Sequence, residues 1–581
     1  MRVLISGSLL ILVASLACSK TLRNYGELEE PGGDGGGDGG GGGQGGSTSQ
    51  GECSLATDCP LPNEECLEPV CDANTCSVAS REAGTPCSAG VCTGAGTCAE
   101  CVPGRTRCEG DNPFLCTEAG TWAEQPSCGL GSKCHDGRCR GLEVEWYFQA
   151  DSHTRAEIRG LGVDDAGRVY LAGTYFRNFE LGDHALDQEE PYGTEAFVAQ
   201  LSPDGTPTHL NRLQADTPEG LSSLAVAENG NHYIGFSDTN SSASQLLSFN
   251  SHGQQRFTQR FSVPTPDDGL PVSSRLTFVP TTNGNNAYVL VQFTHEVRWL
   301  KPSSPGYGEF TKDGAHLLVA ELSGGTPSWT TSYPWWNTTR RTLALGTNGT
   351  MYIVGRAEGD SSVFDGLPTL GETTFESVGS LALVKASTSD GAILEAREFP
   401  STSNGGTIAH AAATLPSGQL IVMVSSTAEV QLTSDVILSP SVVYLVKFDP
   451  DLNPIAHVAL GEGDTSFYPP QGAGFAVNES GEIFVAGGIR SDFDFGAGTH
   501  EYQGDSWYYG DGFVAGYDSE LNLLFSQTYG SPASDYVGAI AVDSSHLYLG
   551  LYFGDTIDLH GTPLSPRLDG SSSVIVKYAL R

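Results

Sequence analysis

Seven times from residue 164 onward the chain restates a turn followed by a short apolar strand: DDAGRVYLAG, AENGNHYIGF, TTNGNNAYVLV, GTNGTMYIVG, LPSGQLIVMV, NESGEIFVAG and DSSHLYLGLY. Anchored on Tyr170, Tyr233, Tyr288, Tyr352, Ile421, Phe484 and Tyr548, the copies lie 63, 55, 64, 69, 63 and 64 residues apart. A second strand recurs in step with the first, as AFVAQLS, QLLSFN, LLVAELS, LALVKAS, VYLVKFD, GFVAGYD and SVIVKYA. In the sixth copy the whole unit is legible: GAGFAVN, EIFVAGG, GFVAGYD and LLFSQTY read as strands A, B, C and D, with tight Gly/Asn/Asp turns between A and B and between C and D. A fixed period of four-stranded meanders predicts an all-β fold, a seven-bladed β-propeller of four-stranded blades. Several sandwich domains in tandem are the alternative, and they would need no constant period.

The ends of the repeat region make a separate prediction. The seventh copy stops at Arg581 after strand C, while an unpartnered strand, LEVEWYFQA, precedes the first. Residues 142–150 are therefore expected to pair with 573–581 as the missing strand D, which removes an open sheet edge.

Upstream, three further segments differ sharply in composition. Residues 1–17 carry one charge at Arg2 and the run VLISGSLLILVA, too short to span a bilayer and suited to a secretory signal. It ends SLAC, so Cys18 is the candidate lipidation site; Ser15-Leu16-Ala17 would also suit ordinary signal cleavage. Residues 18–52 contain GGDGGGDGGGGGQGG, expected to be a disordered tether with a reach of roughly 30 Å. Residues 53–140 are cysteine-rich, and residues 141–581 hold the repeats.

Of 15 cysteines, all but Cys18 fall in the third segment. They divide into Cys53, Cys59, Cys66, Cys71, Cys76, Cys87, Cys92 and Cys98, then Cys101, Cys108, Cys116, Cys128, Cys134 and Cys139. Both sets are even, and with few apolar residues nearby, cross-links are expected to replace a core. Zinc is the rival, but it calls for repeated C-x-x-C pairs, of which there is one. Even pairing leaves Cys18 as the odd thiol that a lipid would explain.

The sixth and seventh copies, DGFVAGYDSELNLLFSQTYG followed by AIAVDSSHLYLGLYFGDTIDLHG, resemble the bacterial SBBP repeat, as do TEAFVAQLSPDG and the loop DFDFGAG. Units two, three and five lack the Asp-Phe-Gly loop. The string GTPCSAGVCTGAGTCAECVPGRTRC with the glycine tether is similar to cysteine-rich surface lipoproteins of myxobacteria and their relatives. This resemblance implies a secreted or surface propeller, and for most members no activity; Ser19 after Cys18 implies sorting to the outer membrane.

A formal net charge of -39 argues against nucleic acid and anionic lipid surfaces as partners and is most simply read as solubility, with the membrane expected to be met only through the N-terminal lipid. The long loops concentrate aromatics, with Trp299, Trp335, Trp336, Trp507, Tyr508 and Tyr509 as candidate ligand-binding residues, joined by Tyr192, Tyr307, Tyr468. Such a face suits a glycan or a protein partner; packing of the same rings onto the blades is the bland reading. The expected function is thus an exported, monomeric binding module at the outer membrane or cell surface. The alternative is an extracellular lyase or hydrolase at the channel mouth, built from Asp151, His153, Asp216, Asp267, Asp268 and Asp464 with Arg340 and Arg341. His295 and His410 sit in no nucleophile or metal motif, so no catalytic residue, cofactor or metal is expected.

Overall fold

The computed structural model describes residues 53–580 except 153–154, 188–192, 215–220, 238–242, 263–275, 281–284, 301–308, 335–341, 358–368, 371–372, 376–378, 403–405, 461–473, 505–509 and 567–570. They form an almost entirely all-β structure of many small antiparallel sheets, preceded by a disulfide-rich stretch. Among them no helix is long and apolar enough to cross a membrane.

Two compact units are present. The first holds 53–63 and 67–79, with a β-hairpin of Leu67–Asp72 and Thr75–Ser80 and the bonds Cys53–Cys71 and Cys59–Cys76. The second holds 64–66 and everything from 80 onward, and includes Cys66–Cys92, Cys87–Cys98, Cys101–Cys116, Cys108–Cys134 and Cys128–Cys139. Every bond stays within one of the two even sets, so no cross-link joins the segment ending at Cys98 to the one starting at Cys101.

Within the second unit each repeat supplies strands in the order A-B-C-D. The first runs Arg155–Val163, Val169–Phe176, Thr194–Leu201 and Pro207–Leu213, and the fourth, fifth and sixth repeat that pattern as separate four-stranded sheets. The seventh has Tyr536–Val542, His546–Phe553 and Ser572–Leu580, and its outer partner is Leu142–Ser152 from the other end of the chain. The register runs from Leu142↔Leu580 to Ala150↔Ser573. The Lys577 Nζ to Glu145 Oε2 ion pair at 2.9 Å lies on this junction.

One expectation is corrected. The second and third repeats do not form two separate sheets; they share one eight-stranded sheet, because Gln255–Ser262 pairs with the far end of Asn286–Leu300 through Arg260↔Leu300, Phe261↔Trp299 and Ser262↔Arg298. Asn286–Leu300 and Glu309–Ser323 continue as a hairpin where a polar loop was expected; Glu296, Val297, Arg298 and Trp299 alternate polar and apolar at the two-residue period of a strand, although their partner segment EFTKD does not. Trp299 therefore sits on a strand rather than in a loop.

Among the described residues seven apolar clusters make up the buried core, and each is drawn from two neighbouring repeats. Phe484, Val514 and Phe525 of the sixth meet Leu549 and Val576 of the seventh; Ala539, Tyr548 and Ile575 of the seventh meet Leu161, Leu171 and Phe197 of the first. The remaining clusters join first to second, second to third, and so on to fifth and sixth. Strands read as continuous apolar runs because both faces of each sheet are covered by a neighbour. Each strand A also touches the strand A of the next repeat, and that of the seventh touches that of the first.

The six-cysteine segment closes onto the sixth sheet. Ser132 forms a β-bridge with Phe525, the Ser526 amide donates to Gly131 O at 2.6 Å and the Lys133 amide to Leu524 O at 3.1 Å. Arg140 adds an ion pair to Glu482 at 2.9 Å. The outer edge of Leu523–Tyr529 is thereby covered.

Candidate functional site

The aromatic loop residues Trp335, Trp336, Trp507, Tyr508 and Tyr509, with Tyr192, Tyr307 and Tyr468, lie outside the described residues, as do Cys18, His153, Asp216, Asp267, Asp268, Asp464, Arg340 and Arg341. Asp151 is paired with Glu180 at the end of the N-terminal strand, and His295 lies within Asn286–Leu300. His410 is nearly buried and its Nε2 lies 2.7 Å from Ser425 Oγ. Among the described residues these candidates do not converge.

What the structure does bring together sits on the ring of A strands. Four of them carry a β-bulge in the same register, three residues before the partner of the strand B anchor. The bulged residues are Arg159, Ser222, His410 and Gly538. A bulge sets one residue outside the ladder register and re-aims it, so the same local irregularity recurs at one position in the first, second, fifth and seventh repeats.

At the junction of the seventh and first repeats this yields a polar cluster. Glu157 is buried and pairs with Arg155 and with Arg159, whose Nε and guanidinium NH2 groups lie 2.9 Å and 2.8 Å from Oε2. Burial works against its charge, but Arg159 and Arg155 outweigh that and, with a hydrogen bond from Tyr536, hold its carboxyl below the usual range. Tyr536 stacks on Tyr552 with ring centroids 4.8 Å apart. Burial, and then Glu157, push the Tyr536 phenol far above its ordinary value, so it keeps its proton. The Arg155 side chain is 62% exposed and that of Arg159 38%. Two partly exposed guanidinium groups and one buried carboxylate thus gather beside a pair of stacked tyrosines. Gly538 permits the close approach, because a Cβ there would stand 2.3 Å from Ile158 O.

The next seam, between the sixth and seventh repeats, holds two buried carboxylates. Asp511 opens strand C of the sixth repeat and Asp535 immediately precedes strand A of the seventh; their residues are 1% and 0% exposed. The Asp535 amide donates to Gly510 O at 2.7 Å, and Gly512 lets the two strands approach, since a Cβ there would meet the Tyr536 backbone at 3.2 Å. Burial pushes Asp511 up to about 6 against hydrogen bonds from the Gln503 and Gly504 amides. It pushes Asp535 up to about 7 against Ser531 and Gly554, with the nearby Asp511 charge adding to the rise.

None of these residues stood out in the sequence. RAEIR carries a signal of sorts, two arginines flanking a glutamate at the alternation of a strand. The Asp511 and Asp535 pairing has none, because it exists only across a seam between repeats.

No protein-family model and no curated protein matches the chain. Among solved structures it is similar to the Dos1 propeller, at 10% identity over 75% of this chain and 95% of that one, with a TM-score of 0.38. It is similar also to the quinohemoprotein alcohol dehydrogenase of Comamonas testosteroni, at 11% over 75% and 76% with a TM-score of 0.39. A third is the acylaminoacyl peptidase of Pyrococcus horikoshii, at 8% over 73% of this chain, which spans about half (52%) of that protein, with a TM-score of 0.38. The chain is thus weakly similar to propeller-type structures, some of them enzymes, at a level that bears on neither activity nor ligand.

Proposed function

We propose that residues 141–581 form a seven-bladed β-propeller serving as an exported, Cys18-anchored binding module, whose ligand is an acidic glycan held beside the A-strand ring. The fold reading is supported by the cyclic order of core clusters and A-strand contacts and by the pairing of the two chain ends. The ligand reading rests on one observation: in a chain of net charge -39, the partly exposed guanidinium groups of Arg155 and Arg159 stand together next to the Tyr536–Tyr552 stack. A guanidinium fork matches a sugar carboxylate, and a tyrosine ring offers a flat face to a pyranose. The aromatic loops, with Trp335 and Trp507, are the other place a glycan could be held.

The alternative is an extracellular lyase or hydrolase at the same ring. It needs a group able to exchange a proton near neutrality. In this cluster Tyr536 is held protonated and Glu157 ionised, while the carboxyls raised toward neutrality, Asp511 and Asp535, are buried in the next seam, so the cluster itself supports binding.

The test is an array of uronate-bearing and neutral polysaccharides probed with wild type, Arg155→Gln, Tyr552→Ala and the double variant Trp335→Ala/Trp507→Ala, each first checked for an unchanged thermal midpoint. Binding restricted to uronate polymers, weakened at least tenfold by Arg155→Gln and Tyr552→Ala and kept by the tryptophan variant, is the expected result. Loss only in the tryptophan variant moves the ligand to the loops. Wild-type binding untouched by all the variants overturns both sites, and shortening of any polymer promotes the enzyme.

A further inference from the structure

The two buried aspartates are incompletely satisfied in a way that identifies what they lack. Asp511 Oδ2 accepts the Gln503 amide at 2.8 Å, and Asp535 Oδ1 accepts the Gly554 amide at 3.1 Å. The other oxygen of each, Asp511 Oδ1 and Asp535 Oδ2, is buried with no hydrogen-bond partner among the described residues. Neither protonation state cures this. An ionised carboxylate leaves that oxygen's charge desolvated, and a protonated one leaves its O–H without an acceptor.

Equivalent positions elsewhere in the repeats show that the node itself does not require this. In the fourth and fifth repeats the same two positions are Ser380 and Thr407, and the same latch is present, with the Thr407 amide donating to Gly379 O at 3.2 Å. There the side chains satisfy themselves: Thr407 Oγ1 donates to Gly379 O at 2.7 Å and Ser380 Oγ to Glu398 Oε1 at 2.6 Å. At the seam of the seventh and first repeats the positions are Ser572 and Ala156. Neutral residues therefore serve the latch; the seam of the sixth and seventh repeats has two carboxylates in their place.

We propose that Asp511 and Asp535 together bind a divalent cation, with calcium as the best fit, clamping the sixth repeat to the seventh. Calcium is held by oxygen ligands in flexible geometry, carboxylates and backbone carbonyls among them. The amide donors to the opposite oxygens do what outer hydrogen bonds do for metal-bound carboxylates: they fix the orientation of the ligand. A cation between them would satisfy both orphaned oxygens, and its binding free energy would add to the stability of the seam. This site is independent of the glycan reading, since it lies inside the seam rather than at the exposed arginines.

The experiment is a thermal melt of the full-length mature protein at pH 7.5 in EDTA, in 5 mM calcium chloride and in 5 mM magnesium chloride, on wild type, Asp511→Asn and Asp535→Asn. Terbium luminescence sensitised by tyrosine is read on wild type in parallel, Tyr536 being the residue next to Asp535. The expected result is a wild-type midpoint at least 5 °C higher in calcium than in EDTA, a smaller gain in magnesium, and no calcium gain in either variant. Calcium-displaceable terbium emission is expected as well, and it decides the matter if a variant fails to fold. A wild-type midpoint unchanged by calcium, or an equal gain in the folded variants, overturns the proposal and leaves a buried water as the partner of the two oxygens.

Discussion

Burying an imidazole between aromatic rings makes its proton costly, and His232 shows the effect. It is 1% exposed, lies between Tyr170 at 4.8 Å and Phe249 at 5.3 Å, and its Nδ1 is 3.2 Å from Gly230 O. Burial pushes its value down to about 4, against that hydrogen bond, with Arg256 lowering it and Asp164 raising it. The unfolded chain binds this proton near pH 6.5. Above that pH neither state carries it and the contribution is fully present; as pH falls from 6.5 toward 4 only the unfolded state takes it up, so stability is lost. Between pH 7 and pH 5 the loss is about 2 kcal/mol. Urea unfolding at both pH values is expected to show a smaller drop in His232→Phe than in wild type by about that amount, and equal drops would refute the assignment. The sequence marks His232 only as a histidine in an apolar strand; what surrounds it depends on Tyr170 from the preceding repeat, and no local pattern carries that.

At the level of elements, the strands were legible and their irregularities were not. Strand A, B and C patterns could be read because each apolar run is bounded by a Gly/Asn/Asp turn. The bulges at Arg159, Ser222, His410 and Gly538 are properties of pairing, and they leave the alternation of RAEIRGLGV or YVGAIAV looking ordinary. The long hairpin Asn286–Leu300 with Glu309–Ser323 is hidden for the opposite reason: Glu296 to Trp299 alternate like a strand, but their partner EFTKD carries enough charge to resemble a loop. Small hairpins between strands B and C, such as Phe493–Asp494 with Thr499–His500 and Ile557–Leu559 with Thr562–Leu564, follow the Asp-Phe-Gly type of loop. The fifth repeat has one too, Val430–Gln431 with Ile437–Leu438, without that motif.

Docking of the six-cysteine segment belongs to this scale as well. Gly131 has φ of +75°, and a Cβ there would stand 2.1 Å from Ser526 O, so only glycine lets this backbone reach the edge of Leu523–Tyr529. Gly131→Ala is expected to make the segment from Cys101 to Cys139 more than tenfold more sensitive to limited proteolysis while the strand content by circular dichroism stays unchanged. Unaltered cleavage would mean that the disulfides alone hold the segment.

For the molecule as a whole, the constant period made the seven repeats visible, and the stranded ends made the pairing of residues 142–150 with the C-terminus predictable. What could not be read was the joining of the second and third repeats into one sheet, because it turns on where Asn286–Leu300 ends. The ring of seven core clusters gives each repeat two neighbours, so no single repeat buries its apolar faces alone. The strand Leu142–Ser152 pairs with Ser572–Leu580 without a covalent bond, and the proposed closure of the propeller depends on it. Facing pairs in an antiparallel ladder alternate between wide and narrow spacing, so two cysteine pairs cover both kinds: Tyr147→Cys with Val576→Cys, and Phe148→Cys with Ile575→Cys. Each is made in the otherwise unchanged chain, oxidised after folding and mapped by mass spectrometry of its proteolytic peptides. The account predicts that at least one pair yields a peptide linking the two ends of the repeat region in high yield, with a raised thermal midpoint. Free thiols at both pairs in folded protein would contradict it.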